Sequence, residues 1–167
     1  MNKWIEALKK NSIENVKKLI QNGEDINDEN ESGESVLAYA LRSHCDYDLL
    51  MFLVENGADI YDFDEEGVSI FEMAITYNNI KMVEFFLDKG IDVNSTKRRS
   101  GFTPLICASC YGRTEIVKIL LENGADKDAV DSKGLSATDF ARKMNKKSVL
   151  ALLDYDENSP KNKIYAR

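Results

Sequence analysis

Glycine recurs at a nearly constant interval along this sequence, and that interval limits the folds open to the chain. One series of glycines comprises Gly23, Gly57, Gly90 and Gly124, and a second comprises Gly33, Gly67, Gly101 and Gly134. In both series the step is roughly 33 residues, which lies in the range typical of repeat proteins. Such a period predicts a stack of short repeated units, each packed only on its neighbours.

The most regular copy of the unit extends from Gly101 to Asp126. Thr103 and Pro104 supply a helix N-cap and the proline favoured at the first helical position. A short apolar helix, a turn at Gly112 and a second apolar helix follow. The Thr-Pro-Leu opening and the Gly-Ala-Asp ending closely resemble an ankyrin repeat. The resemblance implies an all-α repeat solenoid of four to five helix-turn-helix units, including caps, with projecting β-hairpin fingers.

The register of the repeats divides the chain into one domain and a tail. The terminal units carry outward-facing lysines, which suits repeats that have a neighbour on one side only. The predicted domain spans residues 1–153: an N-terminal cap repeat (1–32), three internal repeats (33–66, 67–100, 101–133) and a C-terminal cap repeat (134–153), followed by a flexible tail (154–167).

Two local departures from the repeat pattern predict specific features. The second repeat has one more residue between Gly33 and Gly57 than the third has between Gly67 and Gly90, so the extra residue bulges its inter-helix turn within 43–47. The histidine that usually follows Thr-Pro-Leu in the family is replaced in two repeats by an acid, Glu72 or Asp139. Paired with Ser69 and Ser136 at the preceding capping positions, these acids predict capping boxes.

Composition narrows the classes of function. A net charge of −7 and a pI near 4.9 disfavour nucleic acid and anionic membranes as main partners. No apolar run is long enough to span a membrane, and the start of the chain lacks the apolar segment of a secretory signal. Three cysteines, an odd number, favour reduced thiols and a cytoplasmic protein. The polar caps favour a monomer, and the Lys/Glu/Asn-rich composition favours a bacterial source.

Catalytic and metal-binding patterns find little support. The chain has one histidine and no Ser/His/Asp set, phosphate loop or HExxH helix, so we expect neither an enzyme nor a cofactor. Cys107 and Cys110 form a Cys-x-x-Cys pattern that can mark metal or redox chemistry. Since no second pair or nearby histidine completes a zinc set, structural thiols are the preferred interpretation.

The segments between closing and opening glycines are the predicted fingers: 24–32, 58–66, 91–100 and 125–133. The first two are acidic, and the second also carries Phe63. The third contains Lys97, Arg98 and Arg99. Charged turns are commonly just solvated, but a basic finger beside two acidic ones offers a partner a polarised surface.

The family resemblance also implies which positions contact a partner on the concave face. Transferred by register, the predicted partner-binding residues are Arg42, Glu65, Glu66, Val68, Tyr77, Arg98, Arg99, Phe102, Cys110, Tyr111 and Arg113, with Met144 at an equivalent position of the last repeat. Tyr, Phe and Arg are enriched at the energetic centres of interfaces, so Tyr77, Arg99, Phe102, Tyr111 and Arg113 form the predicted centre. Two alternatives stay open: Tyr111 shields the turn at Gly112, and Phe102 folds back on the neighbouring finger.

The preferred function is therefore that of an adaptor or regulator that binds a protein partner. An alternative is a carrier that delivers haem or another small ligand to an oxidative-stress enzyme such as catalase, through tyrosines, His44 or Cys45. A host-directed secreted effector is a third possibility. The sequence does not identify the partner.

Overall fold

The computed structural model describes residues 1–154. Within that range the chain forms five helix pairs, each joined by a short turn, and its only ladder-type pairing consists of three isolated antiparallel bridges at the bases of fingers. The predicted all-α repeat solenoid is confirmed, whereas nearly all of the predicted tail lies outside the described residues. The helices are α1 (Asn2–Lys9), α2 (Ile13–Gln21), α3 (Val36–Arg42), α4 (Tyr47–Glu55), α5 (Ile70–Thr76), α6 (Ile80–Asp88), α7 (Pro104–Tyr111), α8 (Thr114–Glu122), α9 (Ala137–Lys143) and α10 (Lys147–Leu152).

A hydroxyl side chain begins the first helix of every repeat after the N-terminal one. Thr103 accepts a hydrogen bond from the Ile106 amide at 3.2 Å, and proline follows it, as expected. Both predicted capping boxes form. The Glu72 carboxylate accepts a hydrogen bond from the Ser69 amide, and the Asp139 carboxylate accepts one from the Ser136 amide. Acids thus satisfy the free amides at helix starts where the family usually has histidine.

The extra residue of the second repeat lies in the α3–α4 turn, as predicted. Cys45 and Asn79 donate equivalent backbone hydrogen bonds to α3 and α5, so the inserted residue is Asp46, which precedes α4. The Asp46 amide donates to the Asn11 carboxamide oxygen at 2.9 Å, and the Asn11 amide group bonds the Asp46 carboxylate in return. The insertion therefore ties the second repeat to the turn of the first.

The core is continuous along the stack. First helices of neighbouring repeats pack side by side along the stack, and the second helices α6, α8 and α10 do so in its C-terminal half. Trp4 fills the N-terminal repeat with no exposed surface, while Phe71 and Phe86 meet edge to face in the third repeat, with 6.3 Å between ring centroids. The buried residues form one continuous cluster along the described repeats, so each repeat completes its core against its neighbours.

One ion pair lies inside the stack. The Glu72 side chain is 0% exposed, and its Oε1 atom lies 3.0 Å from Nε of Arg98, which belongs to the third finger and is 23% exposed. Among the described residues neither atom has a hydrogen-bond partner, so the attraction between them is ionic. Burial raises the pKa of Glu72, while the bonds from Ser69 and the charge of Arg98 oppose that shift. Because Arg98 also stacks over Phe102 at 5.2 Å, the pair fixes the third finger against α5.

The second and third fingers approach each other backbone to backbone. Gly67 has φ +80°, and a Cβ atom added there would stand 2.5 Å from the carbonyl oxygen of Lys97. Only glycine fits this contact, because any side chain would have to displace the third finger.

Two of the three thiols belong to the core. Cys45 and Cys107 are buried, and burial raises the pKa of each to about 11. Cys45 donates to the Leu8 carbonyl at 3.4 Å, and Cys107 lies 3.4 Å from the Thr76 hydroxyl. Cys110 is partly exposed. The Cys-x-x-Cys pattern thus places one sulfur inside the stack and one near its surface.

The buried ion pair predicts a pH-dependent cost of removing Arg98. We expect Arg98→Met to lower the free energy of unfolding at pH 7 by about 3 kcal/mol, because the buried Glu72 carboxyl would lose its counter-ion. Urea unfolding followed by circular dichroism measures this loss. Arg99→Met, at the exposed neighbouring residue, serves as control and should change stability by less than about 0.5 kcal/mol.

The loss should shrink as the pH falls. Without Arg98, the folded-state pKa of Glu72 rises further above its unfolded value. A carboxyl group whose pKa is higher in the folded state than in the unfolded state contributes its full stabilisation at pH values below the unfolded-state pKa. That stabilisation is lost as the pH rises through the folded-state pKa. The free energy of unfolding of Arg98→Met should therefore be closer to that of the wild type near pH 4 than at pH 7. An equal loss at both pH values would contradict a buried, charged Glu72.

The cysteines predict selective thiol reactivity. In the folded protein near neutral pH, a chromogenic disulfide reagent should modify Cys110 rapidly, because the other two thiols are buried and almost fully protonated. Cys110→Ser should abolish the rapid phase, and denaturant should expose the remaining thiols. Rapid labelling of folded Cys110→Ser would show that Cys45 or Cys107 is accessible.

Candidate partner-binding surface

Four side chains form a row at the C-terminal ends of the first helices. Tyr77, Tyr111 and Met144 occupy equivalent positions of successive repeats, at the ends of α5, α7 and α9, which pack side by side. Tyr111 and Met144 are each 48% exposed, and Tyr77 is partly exposed. His44 meets the Tyr77 ring edge to face at 5.8 Å. We call these four residues the turn row.

His44 enters the row because of backbone geometry. It has φ +54° and occupies the left-handed position that asparagine or glycine fills in the other inter-helix turns. The sequence indicated a solvent-exposed His44, with ligation of haem or a soft metal as the alternative, and did not place it among the contact residues. The signal available was that His44 precedes Asn78 by one full repeat.

Partial burial raises the pKa of Tyr77, and this effect outweighs the opposing charge of Arg42. The Tyr77 hydroxyl is therefore protonated at neutral pH and can donate a hydrogen bond to a partner.

Arg42 is held in place at the N-terminal side of the row. Its Nε atom donates to Glu34 Oε1 at 2.6 Å, and a second guanidinium nitrogen donates to Oε2 at 2.8 Å. The guanidinium also stacks over the Tyr39 ring at 4.6 Å. A bidentate pair with a stacked ring restricts the arginine to one orientation.

Arg113 joins two repeats beneath the row. Its guanidinium donates to the carbonyl of Thr76, the last residue of α5, at 3.2 and 2.5 Å, and lies 5.8 Å from the Tyr111 ring centroid. An otherwise unpaired helix-end carbonyl is thereby satisfied. Arg113 supports Tyr111 while holding the third and fourth repeats together.

The predicted contact residues of the second finger are exposed, apart from Val68. Glu65 and Glu66 are exposed, and Val68 is partly buried. The Asp64 carboxylate accepts bonds from the amides of Glu66 and Val68, both at 2.9 Å, and so shapes the fingertip. Asp64 is thus occupied by its own finger, whereas the two glutamates present their charges to solvent.

Neighbouring arginines of the third finger have different environments. Arg99 is exposed, whereas Arg98 is directed at buried Glu72. Phe102 packs edge to face on Phe140 of α9, with ring centroids 5.1 Å apart, and beneath the Arg98 guanidinium. Arg98 and Phe102 therefore lie mainly in contacts within the stack. Cys110 is partly exposed at the end of α7.

The structure brings the predicted residues together in two groups. Arg42, Tyr77, Tyr111 and Arg113 belong to or support the turn row, and Glu65, Glu66 and Arg99 lie exposed on fingers. The two groups are at opposite ends of the first helices, because each first helix begins at a finger and ends at an inter-helix turn. Whether these residues contact a partner stays a prediction.

The haem-carrying alternative finds no support. His44 is exposed, whereas Cys45 is 4% exposed and bonded into the core, so the two side chains do not converge on one ligand. Within residues 1–154 no group of three or more His, Cys, Asp or Glu side chains is arranged to hold a metal ion. In the same range, no helix has the length and apolar character needed to cross a membrane.

Several proteins contain segments similar to this chain. A stretch of 69 residues is 42% identical to the E3 ubiquitin-protein ligase hecd-1 of Caenorhabditis elegans, covering 41% of this chain and 2% of the relative. The glycerophosphocholine phosphodiesterase gde1 of Schizosaccharomyces pombe is 38% identical over 68 residues, or 41% and 6% of the two chains. Ankyrin repeat, SAM and basic leucine zipper domain-containing protein 1 of Dasypus novemcinctus is 42% identical over 62 residues, or 35% and 13%.

The chain thus spans only a small part of these relatives, all of which are eukaryotic, and their activities concern those whole proteins. Family models cover much more of this sequence. Residues 4–97 match a model of three ankyrin repeats, and residues 100–132 match a model of a single ankyrin repeat. The matched segments include four of the five helix pairs, and the chain therefore belongs to the ankyrin repeat family.

Proposed function

We propose that this protein is an adaptor or regulator that binds a protein partner through the concave face and fingers of its middle repeats. Ankyrin repeats are typically non-catalytic protein–protein interaction modules, and this family membership supports the general function. The observation that carries the proposal for this chain is the turn row, in which His44, Tyr77, Tyr111 and Met144 stand partly or largely exposed on consecutive repeats.

Side chains of this kind suit a binding surface. Tyrosine offers a large contact area and a hydroxyl, yet has few rotatable bonds, so ordering it on binding costs little entropy. Tyr77 and Tyr111 stand on helices packed in a rigid stack, and Arg113 supports Tyr111 from below. A surface that is already ordered loses less free energy when it binds.

Charge adds selectivity to this surface. Glu65 and Glu66 are exposed on the second finger, and Arg99 is exposed on the next finger along the stack. We propose that the partner presents complementary charges to these two fingers. Such complementarity accelerates encounter and excludes partners with the opposite pattern.

We further propose that residues 1–153 act as one domain, in monomeric form, in the cytoplasm. The lysines on the terminal repeats keep the ends of the stack polar, which supports a monomer. Three thiols without a disulfide support a reducing compartment. Composition alone supports a bacterial source, while the relatives named above are eukaryotic.

A double variant tests the concave surface. We expect Tyr111→Ala combined with Arg99→Glu to lose a partner captured by wild type from native cell extract, with affinity at least about tenfold weaker. Removing an interface aromatic and reversing a charge commonly costs that much or more. Mass spectrometry identifies the captured protein, and titration with that protein measures the affinity.

Lys118→Glu provides the matched control, because Lys118 is exposed on α8, outside the predicted contact set. The control should retain the partner, and circular dichroism should show that all three proteins are equally folded. Capture of the same proteins by the double variant and wild type would refute binding through the middle repeats.

A further inference from the structure

Asparagine side chains tie neighbouring fingers together at two of the three finger interfaces. Asn27 donates through Nδ2 to the Gly57 carbonyl at 3.1 Å and accepts through Oδ1 from the Asp59 amide at 2.9 Å. Asn94, two repeats later, makes the equivalent bonds to the Gly124 carbonyl at 3.2 Å and the Asp126 amide at 2.8 Å. One carboxamide thus satisfies a donor and an acceptor at the base of the next finger. We call this pair of bonds the carboxamide bracket.

The middle interface lacks this bracket. Tyr61 holds the equivalent position, one repeat after Asn27 and one repeat before Asn94. Its backbone is the same, since the Tyr61 amide bonds the Asp59 carboxylate at 2.8 Å as the Asn94 amide bonds that of Asp92 at 2.9 Å. A phenol cannot supply an adjacent donor and acceptor, and the Tyr61 side chain is 63% exposed. In the described residues, the Gly90 carbonyl and the Asp92 amide have no protein partner.

A cleft of about 210 Å³ lies at this interface. Tyr61 and Phe63 line it from the second finger, Gly90, Asp92 and Lys97 line it from the third, and Phe71 forms part of its base. Lys97 Nζ lies 3.7 Å from the Phe63 ring centroid, so an apolar wall and a cation meet there. None of these residues belongs to the turn row.

We propose that this cleft binds an asparagine or glutamine side chain from an extended segment of a protein partner. The bound carboxamide would donate to the Gly90 carbonyl and accept from the Asp92 amide, as Asn27 and Asn94 do at the flanking interfaces. The molecule itself therefore shows which chemical group fits this pair of backbone atoms. Neighbouring apolar side chains of the segment pack on Tyr61 and Phe63.

Other side chains fit this pair of backbone atoms less well. A carboxylate has no donor for the Gly90 carbonyl, and a hydroxyl cannot reach both atoms with the spacing of a carboxamide. The acidic residues around the cleft also disfavour a carboxylate ligand. Asp59 and Asp62, with Asp64, Glu65 and Glu66 nearby, make the second finger strongly acidic and disfavour an acidic segment. We therefore expect basic residues beside the carboxamide in the bound segment.

This site goes beyond the proposed function and rests on it only in taking a protein as the ligand. The cleft lies between the two fingers, beside residues that follow the second helices, whereas the turn row lies at the far ends of the first helices. A partner engaging both surfaces would gain affinity through the second contact, because that contact forms within an existing complex.

Restoring the missing bracket tests the premise. In Tyr61→Asn the new side chain should bond Gly90 and Asp92, and exchange of the Asp92 amide hydrogen should slow by about tenfold or more. Tyr61→Ala is the matched control, since it removes the ring without supplying a carboxamide. Equal Asp92 exchange in the two variants, measured by nuclear magnetic resonance on the full chain, would overturn the proposal.

Peptide selection tests the ligand. Random short peptides displayed on phage are selected on the full wild-type chain and counter-selected on Tyr61→Asn, in which the new carboxamide already bonds the Gly90 carbonyl and the Asp92 amide. We expect the surviving peptides to share an asparagine or glutamine at one position. In a synthetic survivor, replacing that residue by Asp or Glu, respectively, should weaken binding about tenfold or more, because the Gly90 carbonyl would face a carboxylate.

Tyr111→Ala alone separates this site from the concave surface, because Tyr111 belongs to the turn row at the far end of the first helices. It should bind the selected peptides with unchanged affinity, whether or not the concave surface binds a partner. Peptides that lack a carboxamide, or that lose binding to this variant, would overturn the proposal.

Discussion

The structure depends on one constraint: a single helix pair cannot bury its apolar surface by itself. Each pair completes its core against its neighbours, as the packing of α5 on α7 and of α6 on α8 shows in the middle of the stack. The terminal repeats must therefore combine an apolar inner side with a polar outer side. Trp4, fully buried in a repeat otherwise rich in lysine, illustrates this division. Positions that the core does not determine remain free to vary, and the surfaces proposed to bind a partner consist of such positions.

Stacking of the helix pairs alone does not fix the position of each finger. Polar contacts between neighbouring repeats fix it. Glu72 begins α5 through its capping box and also pairs with Arg98, so one buried carboxylate links a helix start to the next finger. Asn27 and Asn94 add direct links between finger bases. Since a buried polar group is costly unless it is satisfied, the contacts of buried Glu72 favour one arrangement of neighbouring repeats over others.

The fold was predictable because it follows from periodic local signals. Glycine spacing indicated the repeats, Ser69 with Glu72 indicated a capping box, and the longer interval between Gly33 and Gly57 located the inserted residue near Asp46. The environments of finger side chains were not predictable in this way. Arg98 and Arg99 are chemically identical neighbours, yet one points to a buried carboxylate and the other to solvent. That difference depends on how the third finger folds over α5, which no local pattern encodes.

The substitution of Tyr61 for the bracketing asparagine shows how a repeat protein can gain a site at an internal boundary. Two hydrogen bonds between fingers are lost, but the fingers stay in register because Gly67 allows the backbone contact with Lys97 and because Lys97 packs on Phe63. The interface is therefore held on one side of the cleft and left open on the other. A repeat array tolerates such a local loss better than a closed core does, since stability is shared among several neighbouring interfaces.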